Sequence, residues 1–99
     1  MPSIVLTDKA QSDLDSIYEH YQTAIGTEGA DNVITTILET LRQLQRFPGS
    51  GRPSVVPDIR ELVLTRYPFV APYRLMHGQL QVLRILHQRS ERSQDWSTE

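Results

Sequence analysis

Residues 59–87, IRELVLTRYPFVAPYRLMHGQLQVLRILH, set the architecture of this chain, because their pattern predicts three consecutive antiparallel β-strands. The last two strands meet at His77-Gly78-Gln79, where a two-residue turn fits with Gly78 as either its first or its second residue. Both turns keep each side chain on the same face of the sheet, so the predicted faces do not depend on the turn type.

The two faces of this predicted sheet differ in character. The first is mostly apolar and is expected to face the core: Phe69, Ala71, Tyr73, Leu75, Leu80, Val82, Arg84 and Leu86. The second combines apolar side chains with a cation and a histidine: Val70, Pro72, Arg74, Met76, Gln81, Leu83, Ile85 and His87. Such a mixture is typical of a face that a tail or a partner covers only in part, so function is expected there. Pro72 cannot donate to a ladder, which predicts a bulge or an interrupted pairing.

The composition indicates one domain without thiol or metal chemistry. With 99 residues, 38% of them hydrophobic and 22% charged, the chain can build a single globular core. No apolar run approaches the length of a membrane span. The absence of cysteine, and three histidines without metal-ligand spacing, predict no metal site and no cofactor. The first residues, MPSIVLTDKAQ, lack the pattern of a secretory signal, so we expect a cytoplasmic protein that makes no contact with a membrane.

The first half of the chain predicts a short strand and two helices. Residues 2–6 form the strand, and Thr7 or Asp8 then caps the first helix. Gly26 ends that helix, residues 27–29 form a connector, and Pro48-Gly49 follows the second helix. Apolar residues at helical spacing give each helix one stripe: Ala10, Leu14, Ile17, Tyr18, Tyr21 and Ile25 on the first, and Val33, Ile34, Ile37, Leu38, Leu41 and Leu44 on the second.

These elements predict an α+β fold with an N-terminal strand, an antiparallel two-helix hairpin and a three-stranded antiparallel meander. The meander forms one sheet that packs on the helices, since neither helix is stable without burying its stripe. Residues 1–99 are one domain in which residues 47–57 are a surface loop and residues 88–99 a polar C-terminal tail. Trp96 in that tail is expected to fold back onto the protein as a hydrophobic latch rather than to stack on a nucleic-acid base.

Charge is distributed unevenly along the chain, although the net charge is only −2. Residues 1–50 carry three basic and seven acidic side chains, and residues 51–99 carry seven and five. The seven basic residues of the second half are all arginines, which pair well with carboxylates and phosphates. An acidic partner or a polyanion is therefore one interpretation, and arginines that only keep a sheet soluble are the other.

Arg84 is predicted to have an architectural role. It lies on the core-facing set of the predicted sheet, where a guanidinium needs a partner, and a carboxylate of a helix can supply one. The acidic residues Asp13, Asp15 and Glu19, in contrast, are expected to face water on the first helix.

The order of the elements, taken together with several short motifs, resembles the RelE/ParE family of toxins. The motifs are Phe47-Pro48 with Gly51-Arg52, Arg60-Glu61-Leu62, Tyr67-Pro68-Phe69, Pro72-Tyr73-Arg74 and Arg84-Ile85-Leu86-His87. The resemblance covers residues 3–92. It implies a growth-arresting toxin that a cognate antitoxin, encoded by an adjacent gene, wraps and silences.

The family divides by target, and two functions follow from the resemblance. In the first, a ribosome-dependent mRNA endoribonuclease, Arg74, His87 and Arg89 would move protons and hold the phosphate. Those nucleases, however, typically carry an arginine where this chain has Val70, on the face predicted for His87. The second function, inhibition of DNA gyrase as in the ParE-like branch, is therefore favoured. A third alternative is a family member that binds its partner but has lost toxicity.

The antitoxin is expected to be an acidic segment that lies across the helical hairpin and the edge of the sheet. Segments of this kind fold as they bind and place side chains at helical spacing into grooves. Candidate contact residues are Leu14, Tyr18, Tyr21, Ile37, Leu41, Arg60 and Arg66.

Overall fold

The computed structural model describes residues 2–89, so Trp96 and its predicted latch lie outside the described residues. It contains one long helical segment and six strands in this part of the chain, an α+β arrangement as predicted. The elements are β1 (Ser3–Leu6), α1 (Asp8–Arg46), β2 (Arg52–Pro53), β3 (Arg60–Leu64), β4 (Phe69–Met76), β5 (Gln79–Val82) and β6 (Leu86–His87).

The helical segment α1 begins at a threonine cap and is broken at one glycine. The Thr7 hydroxyl oxygen accepts a hydrogen bond from the Ala10 N–H at 3.1 Å, which settles the choice between Thr7 and Asp8 as the cap. Gly26 has φ 89° and ψ 172°, which is not a helical conformation. A straight helix of 39 residues would be about 58 Å long. Since the protein extends only 38 Å in its longest direction, α1 cannot continue straight through Gly26.

The turn at Gly26 is tighter than the sequence pattern predicted. Residues 27–29, expected to be a connector, are helical, so a single residue changes the direction of the chain. Glycine can do this because a positive φ carries no steric penalty without a Cβ atom. Both halves of α1 then bury residues in the same cluster as the sheet: Ala10, Leu14, Ile17, Val33, Ile37, Leu41, Leu44, Leu62, Leu64, Phe69, Ala71, Tyr73, Leu80, Val82 and Ile85.

The sheet is wider than the predicted three-stranded meander. Its strand order is β1-β5-β4-β3-β2, and β6 pairs with β4 beyond the end of β5. β1 lies parallel to β5, whereas all other pairs are antiparallel. The additional strand β2 comes from the predicted loop at residues 47–57 and pairs through Arg52 with Glu61.

The hairpin between β4 and β5 uses Gly78 as its second turn residue. Met76 pairs with Gln79, which leaves His77 and Gly78 as the two central residues. Both have positive φ values, 52° and 75°, as a type I′ turn requires.

The third strand of the predicted meander is interrupted, and this corrects the predicted faces. Val82 of β5 lies opposite Tyr73, but β6 resumes with Leu86 opposite Val70, so the strand holds one extra residue between these pairs. The interruption lies opposite Pro72, where an interrupted pairing was predicted. Beyond it the register shifts by one residue, which reverses the face of every side chain.

His87 consequently lies opposite Phe69, so its side chain is on the same face of the sheet as Phe69 and on the opposite face from Val70. The prediction that His87 and Val70 share a face was wrong, as was the prediction that Leu86 shares a face with Phe69. The same shift brings Ile85 into the core, although it was assigned to the second face. Leu75, predicted to be a core residue, is 58% exposed because β4 extends there past Arg60, the first residue of β3.

Within residues 2–89, no helix is long and apolar enough to cross a membrane. The same residues contain no group of three or more side chains placed to hold a metal ion.

Candidate functional site

His87 lies at the end of β6 and packs on an aromatic ring. Its imidazole meets the Phe69 ring edge-to-face with 6.3 Å between ring centroids. Its Nδ1 atom accepts a hydrogen bond from the Arg89 N–H at 3.1 Å. Two of the three residues predicted for a nuclease, His87 and Arg89, are therefore neighbours.

Arg74, the third nuclease candidate, lies at the other end of β4. Since His87 pairs with Phe69, and Arg74 follows Phe69 by five residues, the two lie about 17 Å apart along the strand. The Arg74 Nε–H donates to the Gln81 Oε1 atom at 2.7 Å. Val70, at the position where the nucleases carry an arginine, has no exposed surface. The structure does not bring the three candidates together around one phosphate-sized site.

The candidate antitoxin-binding residues divide into buried and accessible groups. Leu14, Ile37 and Leu41 are at most 5% exposed and belong to the core, and Leu41 also lines a groove at the surface. Arg60 and Arg66 are exposed near opposite ends of β3, and their role in binding stays a prediction.

Two candidate tyrosines lie on the helical layer at intermediate exposure. Tyr21 packs edge-on against Tyr67 and Phe69, with ring centroids 6.0 and 6.5 Å away. The pKa of the Tyr18 phenol is raised, first by partial burial and then by the charge of Asp31 and a hydrogen bond to it. Because Tyr18 and Asp31 lie on either side of Gly26, this contact joins the two halves of α1.

A shallow apolar groove lies between the sheet edge and the second half of α1. It has a volume of about 230 Å³, and its walls are side chains of β1 and of the helix: Ile4, Leu6, Leu38, Leu41, Arg42 and Gln45. The predicted helical stripe already contained Leu38, which is 38% exposed. The sequence pattern could not show that β1 lies at this edge, because its parallel pairing with β5 joins distant parts of the chain.

A larger cleft lies where β4 extends past the first residue of β3. Its volume is about 780 Å³, and the loop before β3 forms the opposite wall. Lining residues include Pro53, Ile59, Arg60, Arg74, Leu75 and Met76. Sequence reasoning missed this cleft because residues 47–57 were taken as an ordinary surface loop. The signal that could have indicated it is Pro57-Asp58 directly before a strand, since Asp58 has a φ of 68°.

The loop that forms the cleft wall is fixed by the buried Tyr73. The phenol donates to the Pro48 carbonyl at 2.7 Å and accepts from the Gly51 N–H at 2.9 Å. An added Cβ atom at Gly51 would lie 2.7 Å from the phenol oxygen, so the loop approaches closely only because this residue is glycine. The Arg60 guanidinium also donates to the Gly51 carbonyl at 2.8 Å. The cleft is therefore preformed rather than built from a free loop.

An ion pair holds β2 on β3 below the cleft. The Arg52 Nε and Nη2 atoms both donate to the Glu61 Oε1 atom at 3.2 Å. The Glu61 side chain is only 10% exposed, whereas that of Arg52 is 56% exposed, so the pair lies at the boundary between core and solvent.

Comparison with known proteins assigns the chain to a family. A family model described as the ParE toxin of type II toxin-antitoxin systems, parDE, matches residues 4–92. The chain belongs to the ParE toxin family. This confirms the resemblance noted from the motifs, and it identifies the ParE branch. One solved structure, titled "Chromosomal ParDE TA system from P. aeruginosa", is 45% identical, with a TM-score of 0.81. The match covers 88% of this chain and 96% of that chain.

A curated relative supports the same family. A protein of Sinorhizobium fredii named "Putative toxin Y4kP" is 33% identical over 60 residues. The match covers 61% of this chain and spans 62% of the length of that relative.

Proposed function

We propose that this member of the ParE family arrests growth by inhibiting DNA gyrase, and that an antitoxin encoded by an adjacent gene neutralises it. One observation supports this target over the ribosome: Arg74 and His87 lie at opposite ends of β4, about 17 Å apart. A ribonuclease of this fold would need its proton-transfer groups and its phosphate-binding cations around a single phosphate. A protein that acts by binding does not need them together.

The antitoxin is an acidic segment that lies on the helical layer and at the edge of the sheet. The groove between β1 and the second half of α1 supports this, because its apolar walls fit the apolar face of a partner helix. Tyr18 and Tyr21 are accessible on the same layer, whereas Leu14, Ile37 and Leu41 act by shaping it from below.

Two assays test the target. The purified toxin, separated from its antitoxin, is added to gyrase on relaxed plasmid, and separately to ribosomes translating a defined mRNA. We expect supercoiling to stop while the mRNA remains intact. Codon-specific cleavage of translated mRNA, with normal supercoiling, would establish the alternative function of a ribosome-dependent endoribonuclease. Purification after co-expression tests the partner: a toxin that never retains the product of the adjacent gene has no such antitoxin.

A further inference from the structure

The cleft beside β4 contains a strand edge that pairs with no other strand of residues 2–89. β3 pairs with β4 only as far as Arg60 opposite Tyr73. Continued by the same register, Asp58 would lie opposite Leu75, but its positive φ turns the chain away. The Ile59 N–H instead donates to the Val56 carbonyl at 3.2 Å. Residues 74–76 of β4 thus pair with β5 on one side and, within residues 2–89, with no strand on the other.

The peptide groups of Leu75 point into this gap. The Leu83 N–H donates to the Pro72 carbonyl at 2.8 Å, which fixes the phase of the ladder between β4 and the strand that follows it. In an antiparallel ladder, successive residues direct their N–H and C=O groups to opposite sides. Arg74 therefore bonds towards β5, and Leu75 presents its N–H and C=O to the cleft. A free strand edge of this kind is a template for an extended peptide.

Side chains around this edge have a defined chemical character. Two arginines, Arg60 and Arg74, and one aspartate, Asp58, are among the residues that line the cleft, so the formal charge of these residues is positive. Leu75 is 58% exposed and Met76 39% exposed, which leaves apolar surface beside the charges. An extended segment with an acidic side chain next to an apolar one matches both features.

We propose that this cleft receives an extended, acidic segment of the target protein, which adds as a strand to the free edge of β4 at Leu75. The inference rests on the proposed function, because it takes the target to be gyrase. A strand is the expected form, since the Leu75 peptide groups can pair in register only with an extended backbone. The wall that Tyr73 holds in place favours binding, because an already ordered loop loses little conformational freedom when the segment binds.

The cleft and the apolar groove assigned to the antitoxin are different surfaces. The groove lies on the outer side of β1, and the cleft lies at the position of β3, three strand positions away in the sheet. At the usual strand spacing this separation is about 14 Å. The groove is bounded by helix side chains and suits a helix, whereas the cleft offers backbone groups and suits a strand. We therefore assign the cleft, including Arg60, to the target, and this assignment replaces the prediction from sequence that Arg60 contacts the antitoxin.

Two variant pairs test this assignment. Arg74→Glu reverses a charge in the cleft, and Lys9→Glu makes the same change on the exposed start of α1. Leu75→Glu places a carboxylate in the cleft. Its control, Ile25→Glu, places a carboxylate on α1, outside the cleft, at a position that is similarly exposed, 59% against 58%. We expect the two cleft variants to raise the toxin concentration for half-inhibition of gyrase by about tenfold or more, and the two controls to change it less than about twofold.

The same variants are measured for antitoxin affinity and thermal unfolding, which must stay close to those of the wild type. Amide hydrogen exchange of the peptide containing Leu75 adds a direct measurement: it should slow when gyrase binds the wild-type toxin and remain unchanged when the antitoxin binds. Cleft variants that inhibit gyrase normally would overturn the assignment. Loss of antitoxin affinity with normal inhibition would also overturn it and make the antitoxin the occupant. If the folded wild-type toxin fails to inhibit gyrase at all, the proposed function itself fails.

Discussion

The carboxylate of Asp13 joins the first half of α1 to the interrupted strand through Arg84. Asp13 Oδ2 accepts from Arg84 Nε at 2.8 Å, and Asp13 Oδ1 accepts from Arg84 Nη2 at 3.0 Å. The same carboxylate accepts the Ile85 N–H at 2.9 Å. The extra residue between β5 and β6 interrupts the ladder, and at this interruption the Asp13 carboxylate supplies a hydrogen-bond acceptor for the Ile85 N–H.

Removing this carboxylate should destabilise the protein substantially. Asp13→Ala loses three hydrogen bonds and removes the Asp13 negative charge beside the partly buried guanidinium of Arg84. We expect the free energy of unfolding to fall by about 2–3 kcal/mol. Asp15→Ala, on the exposed face of the same helix, should change it by less than about 0.5 kcal/mol. Urea denaturation of both variants makes the measurement, and a similar loss in the two would contradict this role.

Arg84 also shows how far side-chain chemistry could be predicted from sequence. Its position on a core-facing set was enough to predict an ion pair with a helix carboxylate, and that prediction is confirmed. The identity of the carboxylate was not predicted, and the prediction that the Asp13 side chain faces water was wrong. The reason is that Asp13 pairs with an interruption of the sheet, whose exact position no periodic pattern contains.

Tyr73 should be important for stability because its phenol fixes the loop before β3. Tyr73→Phe leaves the Gly51 N–H and the Pro48 carbonyl without their partner inside the protein. We expect a loss of about 1–3 kcal/mol in the free energy of unfolding. Gly51→Ala should be at least as damaging, since its Cβ atom would also lie 3.0 Å from the Glu61 carbonyl oxygen.

Gly49→Ala is the control for this loop, because an added Cβ atom there meets nothing within 4 Å. It should leave the thermal midpoint nearly unchanged, while Gly51→Ala lowers it. Equal effects at the two glycines would mean that backbone flexibility, and not the close approach to Tyr73, decides the stability of the loop.

The β4–β5 turn contains one residue, His77, whose replacement should stabilise the protein. His77 adopts a φ of 52°, a left-handed conformation that asparagine tolerates better than histidine. We expect His77→Asn to raise the free energy of unfolding by a few tenths of a kcal/mol. Gly78→Ala, at a φ of 75°, should lower it by about 1 kcal/mol. For a domain of this size, 1 kcal/mol shifts the thermal midpoint by about 4–8 °C, which calorimetry resolves. A stabilising Gly78→Ala would exclude this turn type.

Tyr18 should make stability depend on pH in the alkaline range. Its pKa in the folded protein is raised above the usual value of 10.0, chiefly by partial burial and then by Asp31. Above about pH 10 the unfolded chain therefore loses this proton more readily than the folded protein, and stability falls as pH rises through the folded pKa. Tyr18→Phe cannot lose this proton. Its urea midpoint should fall less than that of the wild type between about pH 9 and about pH 11. Equal falls in the two proteins would show that Tyr18 does not contribute to the pH dependence of stability.

The fold was more predictable than the site, and the residues show why. Most of the buried stripe on α1 and the Gly78 hairpin depend on neighbours in sequence, so their patterns predicted them, although Ile25 of the predicted stripe is 59% exposed. The cleft depends on Asp58, whose left-handed conformation ends the pairing of β3 early, and the groove depends on the parallel pairing of β1 with β5. The face of His87 depends on a one-residue shift opposite Pro72. Single-residue irregularities and distant pairings leave no periodic signal.

His87 distinguishes the two proposed targets most sharply. A general acid or base contributes about 10²- to 10⁴-fold to a reaction rate, so His87→Ala would abolish the toxicity of a nuclease. A single surface contact usually contributes less than about 1 kcal/mol to binding, which is less than tenfold. His87 lies on Phe69, far from Arg74, and we expect its alanine variant to remain toxic and to inhibit gyrase within about tenfold of the wild type.

The control must separate chemistry from folding, because His87 also accepts the Arg89 N–H. His87→Asn provides it: the amide oxygen can accept the same hydrogen bond, but the side chain cannot transfer a proton near neutral pH. Both variants are first shown to bind the antitoxin as the wild type does. If both are folded and neither is toxic, and if the wild type cleaves translated mRNA, the residue is a proton-transfer group and the ribonuclease is the correct function. If His87→Asn is toxic and His87→Ala is not, the histidine acts through the Arg89 backbone and the gyrase proposal stands.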